Sequence, residues 1–315
     1  MTATLDRKRI LIFLALAFGL AWAGALLIFI TGGLANSPFT YLILTVGYMG
    51  APAIAHVLTR VITHEGWDAL YLKPELRREW PYWVAAWLLP GVLTIVGILV
   101  FFVLFPQYYD PDLTMTKQTL ETQLAAQAAA TGQPVQEIDP WAFAISQTIM
   151  ALILAPLLNA FATFGEEFGW RAYLQPKLQP LGGRKMMLAM GVIWGVWHWP
   201  VIAMGHNYGL DYPGAPWGGM LMMVWFTLLI GTLLGWLALR AGSVWPAVIG
   251  HAAINGIAAL GAMFVKGQPN PLLGPLPVGL IGSAGFAVVA LALFVKRGAF
   301  APPAAAVTLP QPKEA

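Results

Sequence analysis

Polar residues with catalytic potential interrupt apolar segments in the second half of the chain. Glu166 and Glu167 follow a long apolar run, and Arg171 comes four positions after Glu167. Residues at i and i+4 share a helix face, so this spacing predicts an ion pair between Glu167 and Arg171. Glu166 points about 100° away on the same helix. Its carboxylate is therefore left available as a general base or a metal ligand.

Two histidines and an asparagine occupy comparable places in later apolar segments. His198 ends the sequence Trp194-Gly-Val-Trp-His198, and His251 and Asn255 are again at i and i+4. Measured along each helix from the nearest basic residue, Glu166, His198 and His251 lie at similar depths of roughly 16–20 Å. We therefore predict that these polar groups meet around one water-accessible hollow.

Such a hollow could activate water for attack on a carbonyl carbon. Glu166 and His198 could remove a proton from water directly, or they could hold a metal that lowers the pKa of that water. In the second case the candidate metal ligands are Glu166, His198 and His251. His251 and Asn255 could donate hydrogen bonds to the oxyanion that forms on a peptide carbonyl. The residues alone leave the metal-dependent and metal-free cases open.

The elements that must position these residues are membrane-spanning helices. The 315 residues are 58% hydrophobic and only 10% charged, far from the composition of a soluble domain. Apolar runs of about 20 residues, long enough to cross a bilayer as helices, recur along the chain. The sequence predicts an all-α polytopic membrane protein with eight transmembrane helices, near 10–31, 40–59, 82–105, 141–165, 187–204, 217–239, 244–265 and 276–295.

The distribution of basic residues predicts the orientation of these spans. Every Lys and Arg except Lys117 and Lys266 falls on one side of the eight-span arrangement, and basic residues collect on the cytoplasmic side. Both termini are thus predicted to be cytoplasmic, in the plasma membrane of a prokaryote, with the site open toward the cytoplasm. The loop 106–140 is then external, with a surface helix over 116–130, and the Ala- and Pro-rich tail 298–315 is predicted to be disordered.

Composition excludes several other functions. The chain has no cysteine, which rules out disulfides, thiolate zinc sites and a cysteine nucleophile. Its net charge of +3 comes from basic residues scattered over short loops, so we predict no nucleic-acid partner. We interpret His56, His64 and His206 as ordinary interfacial residues, and Gly231 and Gly235 as helix-packing positions.

Taken together, the motifs resemble those of the CPBP family of CAAX proteases and bacteriocin-processing proteases. Glu166 to Arg171 fits its EExxxR pattern and His251 to Asn255 its HxxxN pattern, while Trp194 to His198 fits FxxxH with tryptophan replacing phenylalanine. We expect that exchange to alter packing more than chemistry. The resemblance covers about 141–265 and implies a catalytic transmembrane core at 141–297 behind amino-terminal helices at 1–140.

The resemblance implies an intramembrane endopeptidase in which Glu166 and His198 activate water. The motifs leave open whether they do so directly or with zinc as the bound metal. His251 and Asn255 would form the oxyanion site. Glu167 and Arg171, the second glutamate and the arginine of the EExxxR motif, would support these residues. The expected substrate is a membrane-associated protein or peptide, prenylated if it follows the family's name. Two alternatives remain at this point: an ion- or proton-coupled transporter, because intramembrane Glu and His also serve pumps, and a catalytically inactive membrane scaffold.

Overall fold

The computed structural model describes residues 4–74, 76–135 and 137–301. The α-helices are, in chain order, α1 (Arg7–Ile30), α2 (Gly33–Asn36), α3 (Thr40–Leu42), α4 (Met49–Ile62), α5 (Leu76–Leu104), α6 (Thr114–Thr131), α7 (Pro140–Ile153), α8 (Ala155–Leu158), α9 (Ala160–Gly169), α10 (Gln175–Leu178), α11 (Gly183–Trp197), α12 (Trp199–Ala203), α13 (Trp217–Ala241), α14 (Trp245–Ile257) and α15 (Ala284–Val295). Two π-helical segments, Ile43–Tyr48 and Trp170–Leu174, and three 3-10 turns, Pro106–Tyr108, Gln179–Leu181 and Leu260–Phe264, complete the helical structure.

The prediction of an all-helical membrane protein is confirmed. Within the described ranges the only β-type pairing is one isolated bridge between Tyr109 and Val265. Five helical segments there are long and apolar enough to cross a membrane: Arg7–Ile30, Thr40–Ile62, Glu79–Leu104, Trp217–Ala241 and Trp245–Phe264. Two shorter apolar helices, α7 and α15, accompany them. The count of eight spans and the side of the termini stay predictions, and residues 302–315 of the predicted disordered tail lie outside the described residues.

The segment predicted as a single fourth span is instead a chain of short helices. It is interrupted at Leu154 and Asn159 and then runs on past residue 165. Pro156 explains the first interruption, because proline has no N–H to donate to the carbonyl of Leu152. The indole of Trp87 donates to that carbonyl instead, at 2.8 Å. The broken segment therefore depends on an amino-terminal helix for its backbone hydrogen bonding.

Glycines bring the α9 backbone directly against the amino-terminal half of the protein. A Cβ atom on Gly165 would lie 2.6 Å from the Met49 carbonyl oxygen, and one on Gly169 would collide with Pro52. Close approach of this kind is what small residues four positions apart permit between membrane helices. The Glu166–Glu167 pair lies between these two glycines, so α4 fixes the position of both carboxylates.

A second close contact joins α11 to α13. Cβ atoms on Gly191 and Gly195 would lie 2.7 and 2.6 Å from the Leu228 and Val224 Cα atoms. The Thr227 hydroxyl also donates to the Gly191 carbonyl at 2.9 Å. This packing holds the helix that carries Trp194 and ends at His198.

The loop 106–140 contains the predicted helix, as α6. Most of its side chains are exposed, and Leu120 is its buried anchor. The Thr116 hydroxyl donates to the Met263 carbonyl at 2.8 Å, which ties α6 to the turn after α14. No α6 residue lines the cavity described below.

Candidate active site

The structure brings the predicted residues Glu166, His198, His251 and Asn255 to one cavity of about 320 Å³. α9, α14 and the break between α11 and α12 each supply part of the set. The remaining wall is mostly apolar or aromatic: Leu44, Tyr48, Met49, Trp194, Trp197, Val201, His206, Asn207, Met223, Phe226, Ile230, Ile254, Ala258 and Val278. Three separate parts of the chain thus place polar groups on one hollow.

Glu166 is the buried carboxylate of this cavity. Its side chain is 2% exposed, and its Oε2 atom accepts a hydrogen bond from the Trp194 indole N–H at 2.7 Å. Among the described residues this is the hydrogen bond that the Glu166 side chain makes, which leaves Oε1 available to a ligand. Glu166 therefore has the position that a general base for water requires.

Glu167 projects from a different face of α9, into a buried cluster of charges. Its Oε1 atom accepts from Arg171 Nη1 at 2.9 Å and from His251 Nδ1 at 2.8 Å. The predicted pair of Glu167 with Arg171 is confirmed. The contact between Glu167 and His251 was not predicted, and it fixes the ring that faces the cavity, as carboxylate partners of functional histidines commonly do.

His198 lies where its helix is interrupted. Its Nδ1 atom is 2.8 Å from the Trp194 carbonyl oxygen, which can only accept, so Nδ1 carries the proton. The ring also packs edge to face on Trp197, with centroids 4.8 Å apart. A neutral His198 in this tautomer presents Nε2 as a hydrogen-bond acceptor.

Asn255 is the exposed member of the set. It lines the cavity one helical turn beyond His251, and its side chain makes no hydrogen bond to any residue in the described ranges. Its amide group is thus available to donate to a ligand.

The helix interruption at His198 also leaves a free backbone carbonyl, that of Trp197. The Val201 N–H bonds the His198 carbonyl and not that of Trp197. The Tyr48 hydroxyl and the Trp22 indole donate to the Trp197 carbonyl instead, at 2.5 and 3.1 Å. Amino-terminal helices therefore complete this part of the cavity wall.

Sequence reasoning missed or misread four residues at or near the cavity. Trp194 was expected to affect packing, but its N–H bonds Glu166 directly. Tyr48 lines the cavity, but nothing in its distance along the chain from the motifs indicates that it would. His206 is not an ordinary loop residue, because it lines the cavity and burial lowers its pKa. His56 is more than an ordinary side chain at a helix end, because it is fully buried in the protein.

His56 stabilises the α9 backbone just after the paired carboxylates. Its Nδ1 atom donates to the Phe168 carbonyl at 2.9 Å, and its Nε2 atom accepts from Arg60 Nε at 2.7 Å. The ring packs between Phe168 and Tyr173. A π-helical turn, Trp170–Leu174, begins immediately afterwards, and such turns often occur beside functional sites.

The predicted zinc ligands do not form a preformed metal site. Across the described part of the chain, no group of three His, Asp or Glu side chains is placed to hold a metal ion. Trp194 orients Glu166 and His198 through separate hydrogen bonds, and Glu167 orients His251. As they are placed, these three side chains do not converge on one metal position.

The cavity extends from Glu166 away from the basic loops. His206 and Asn207, in the loop after α12, line it, as does Val278 before α15. In the opposite direction the protein is closed, because Arg171 and Gln175 are each only 3% exposed. The lining therefore points away from the predicted cytoplasmic side.

Comparison with known proteins places these residues in context. Residues 140–257 match the Rce1-like type II CAAX prenyl endopeptidases. The CAAX prenyl protease 2 of Methanococcus maripaludis is 32% identical over 102 residues, which covers 31% of this chain and 37% of that protein. The similarity thus spans little more than a third of the relative's length. The matched range 140–257 includes every residue of the EExxxR, FxxxH and HxxxN motifs.

Proposed function

We propose that this protein hydrolyses a peptide bond of a membrane-associated protein or peptide, because residues 140–257 match the Rce1-like type II CAAX prenyl endopeptidases. The observation that carries the proposal is the cavity shared by Glu166, His198, His251 and Asn255. A buried carboxylate, an oriented imidazole and a free amide around one hollow are the groups that water attack on a carbonyl needs.

In the proposed reaction, a water molecule lies between Glu166 Oε1 and His198 Nε2. Glu166 takes one proton as the water oxygen bonds to the carbonyl carbon of the substrate. The C–N bond then breaks, and the proton passes from Glu166 to the leaving amine. His198, as an acceptor, orients the second hydrogen of the same water.

The charge that develops on the carbonyl oxygen is met from the opposite side of the cavity. Asn255 can donate from its amide, and a protonated His251 can donate from Nε2 while Nδ1 stays bonded to Glu167. In that state the charges of Glu166, Glu167, Arg171 and His251 cancel. Donors fixed in advance toward a developing oxyanion contribute on the order of 3 kcal/mol each to catalysis.

The apolar wall of the cavity fits a hydrophobic substrate. Leu44, Val201, Met223 and Ile254 line it beside the polar groups, so apolar side chains next to the cleaved bond would be buried there. We propose a substrate anchored in the bilayer, and the name of the relative adds prenylated proteins as one class to test.

The direct test is cleavage by purified protein in proteoliposomes, with membrane-anchored peptides offered with and without a prenyl group. We expect Glu166→Gln and His198→Ala to lower turnover by about 100- to 10,000-fold, to a small residual rate. His64→Asn, a change of an exposed loop histidine, should leave turnover intact. Full turnover in either cavity variant would overturn the proposal. Ion flux into the vesicles that depends on substrate, without cleavage, would favour a transporter.

We further propose that substrate enters from the side of the loop after α12, in the plasma membrane of a prokaryote. The chain has no cysteine, so single cysteines can be labelled with an impermeant maleimide. We expect Asn207→Cys and Asn255→Cys to react from the same side and Lys185→Cys from the other. Labelling of Asn255→Cys only from the Lys185 side would place the entrance on the basic side, as the sequence predicted.

A further inference from the structure

We propose that Trp194 is a positioning residue for Glu166, an inference that rests on the proposed function of Glu166 as the base. Trp194 lies at the centre of the site and is only 3% exposed. Its indole N–H holds one oxygen of Glu166, at 2.7 Å, so that the other oxygen faces the cavity. The family pattern has phenylalanine here, which has no N–H to donate.

Further contacts of the Trp194 side chain are with members of the charge cluster around Glu167. The Arg171 guanidinium lies over the indole ring, with Cζ 4.4 Å from a ring centroid, and bonds Glu167 rather than Glu166. The Trp194 ring also packs edge to face against the His251 ring, with centroids 5.2 Å apart. Trp194 thus contacts both the charge cluster of Glu167 and the carboxylate that faces the cavity.

Trp194 also sets the tautomer of the histidine one turn later. Its backbone carbonyl accepts the His198 Nδ1 proton at 2.8 Å. That contact survives any side-chain substitution that leaves the helix intact. The contribution specific to tryptophan is therefore the indole N–H, and it can be removed alone.

Trp194→Phe removes the N–H and keeps a ring for Arg171 and His251. A hydrogen bond to a charged group is worth about 1.5–3 kcal/mol, so we expect kcat to fall by about 10- to 100-fold, with KM changed by less than about twofold. The matched control is Trp225→Phe, which removes an indole N–H bonded to Ser283 at 2.9 Å outside the cavity. It should leave kcat within about twofold of the original protein, and the unfolding temperatures of the two variants should be similar.

A second background distinguishes positioning from general damage. In Glu166→Gln, whose residual rate no longer uses the carboxylate, adding Trp194→Phe should change that rate by less than about twofold. The inference is overturned if Trp194→Phe alone retains the original kcat, or if its loss persists in full in the Glu166→Gln background. Glu166→Gln protein that keeps the original turnover would instead refute the proposed function, so the two failures are distinguishable.

Discussion

Gly165→Ala tests whether contact between α9 and α4 places the catalytic carboxylate. The added Cβ would lie 2.6 Å from the Met49 carbonyl oxygen and 3.0 Å from Gly50 Cα. Both atoms are backbone, so no flexible side chain can move aside. Restoring an ordinary contact of about 3.4 Å requires the two helices to separate by roughly 0.8 Å, and Glu166 must move with its neighbour.

A displacement of about 1 Å at a reacting group can cost on the order of 100-fold in rate, so we expect kcat of Gly165→Ala to fall by about 10- to 100-fold. Overpacking should also lower the free energy of unfolding by about 1–3 kcal/mol, so turnover must be measured well below the unfolding temperature. Gly50→Ala is the control, because its Cβ meets nothing within 4 Å and gains the same helix propensity. If Gly165→Ala keeps the original turnover, close contact between α9 and α4 does not place Glu166 for catalysis.

Three further predictions concern the charges and hydrogen bonds around α9. Glu167→Gln removes the counter-charge of a buried arginine, so the free energy of unfolding in detergent should fall by about 3–5 kcal/mol. The control Glu121→Gln, in an exposed ion pair, should change that free energy by less than about 1 kcal/mol. Equal losses in the two variants would contradict this interpretation. His56→Leu leaves two buried hydrogen-bonding groups without a partner, so the same measurement should show a loss of about 1–3 kcal/mol for each, and an unchanged value would show that the bonds are dispensable. Burial raises the pKa of Glu65, but its hydrogen bond and ion pair with Lys177 outweigh that effect and hold the folded-state pKa below the ordinary 4.5. The stabilisation from Glu65 is therefore complete above pH 4.5 and is lost as the pH falls through the folded-state pKa. The unfolding temperature of the original protein should then approach that of Glu65→Gln in acid. A difference in unfolding temperature that does not change with pH would contradict this prediction.

Local spacing predicted the contacts that lie within one helix and failed for those that cross between helices. Glu167 and Arg171 pair because residues at i and i+4 share a helix face, so their spacing in the sequence is enough to predict the ion pair. The bonds of Glu166 to Trp194 and of Glu167 to His251 join residues far apart in the chain. They depend on how each helix is rotated, and the all-round hydrophobicity of membrane helices gives little signal for that rotation.

The helix interruptions were similarly hidden by hydropathy. An apolar run looks continuous through Pro156, although proline cannot continue the hydrogen-bond ladder of a helix. The interruption at His198 precedes Pro200, which was visible in the sequence. Hydropathy averages over such positions, so the spans predicted near 141–165 and 187–204 were too regular in form.

The same interruptions explain why the cavity needs both halves of the chain. Each broken helix leaves a carbonyl group that must be satisfied away from water, since an unpaired polar group in a membrane is costly. Trp87 donates to the Leu152 carbonyl, and Tyr48 to that of Trp197. Tyr48 also lines the cavity. The predicted boundary at residue 140 therefore separates motif from scaffold in sequence, while in the folded protein residues before it complete the walls of the site that the motifs form.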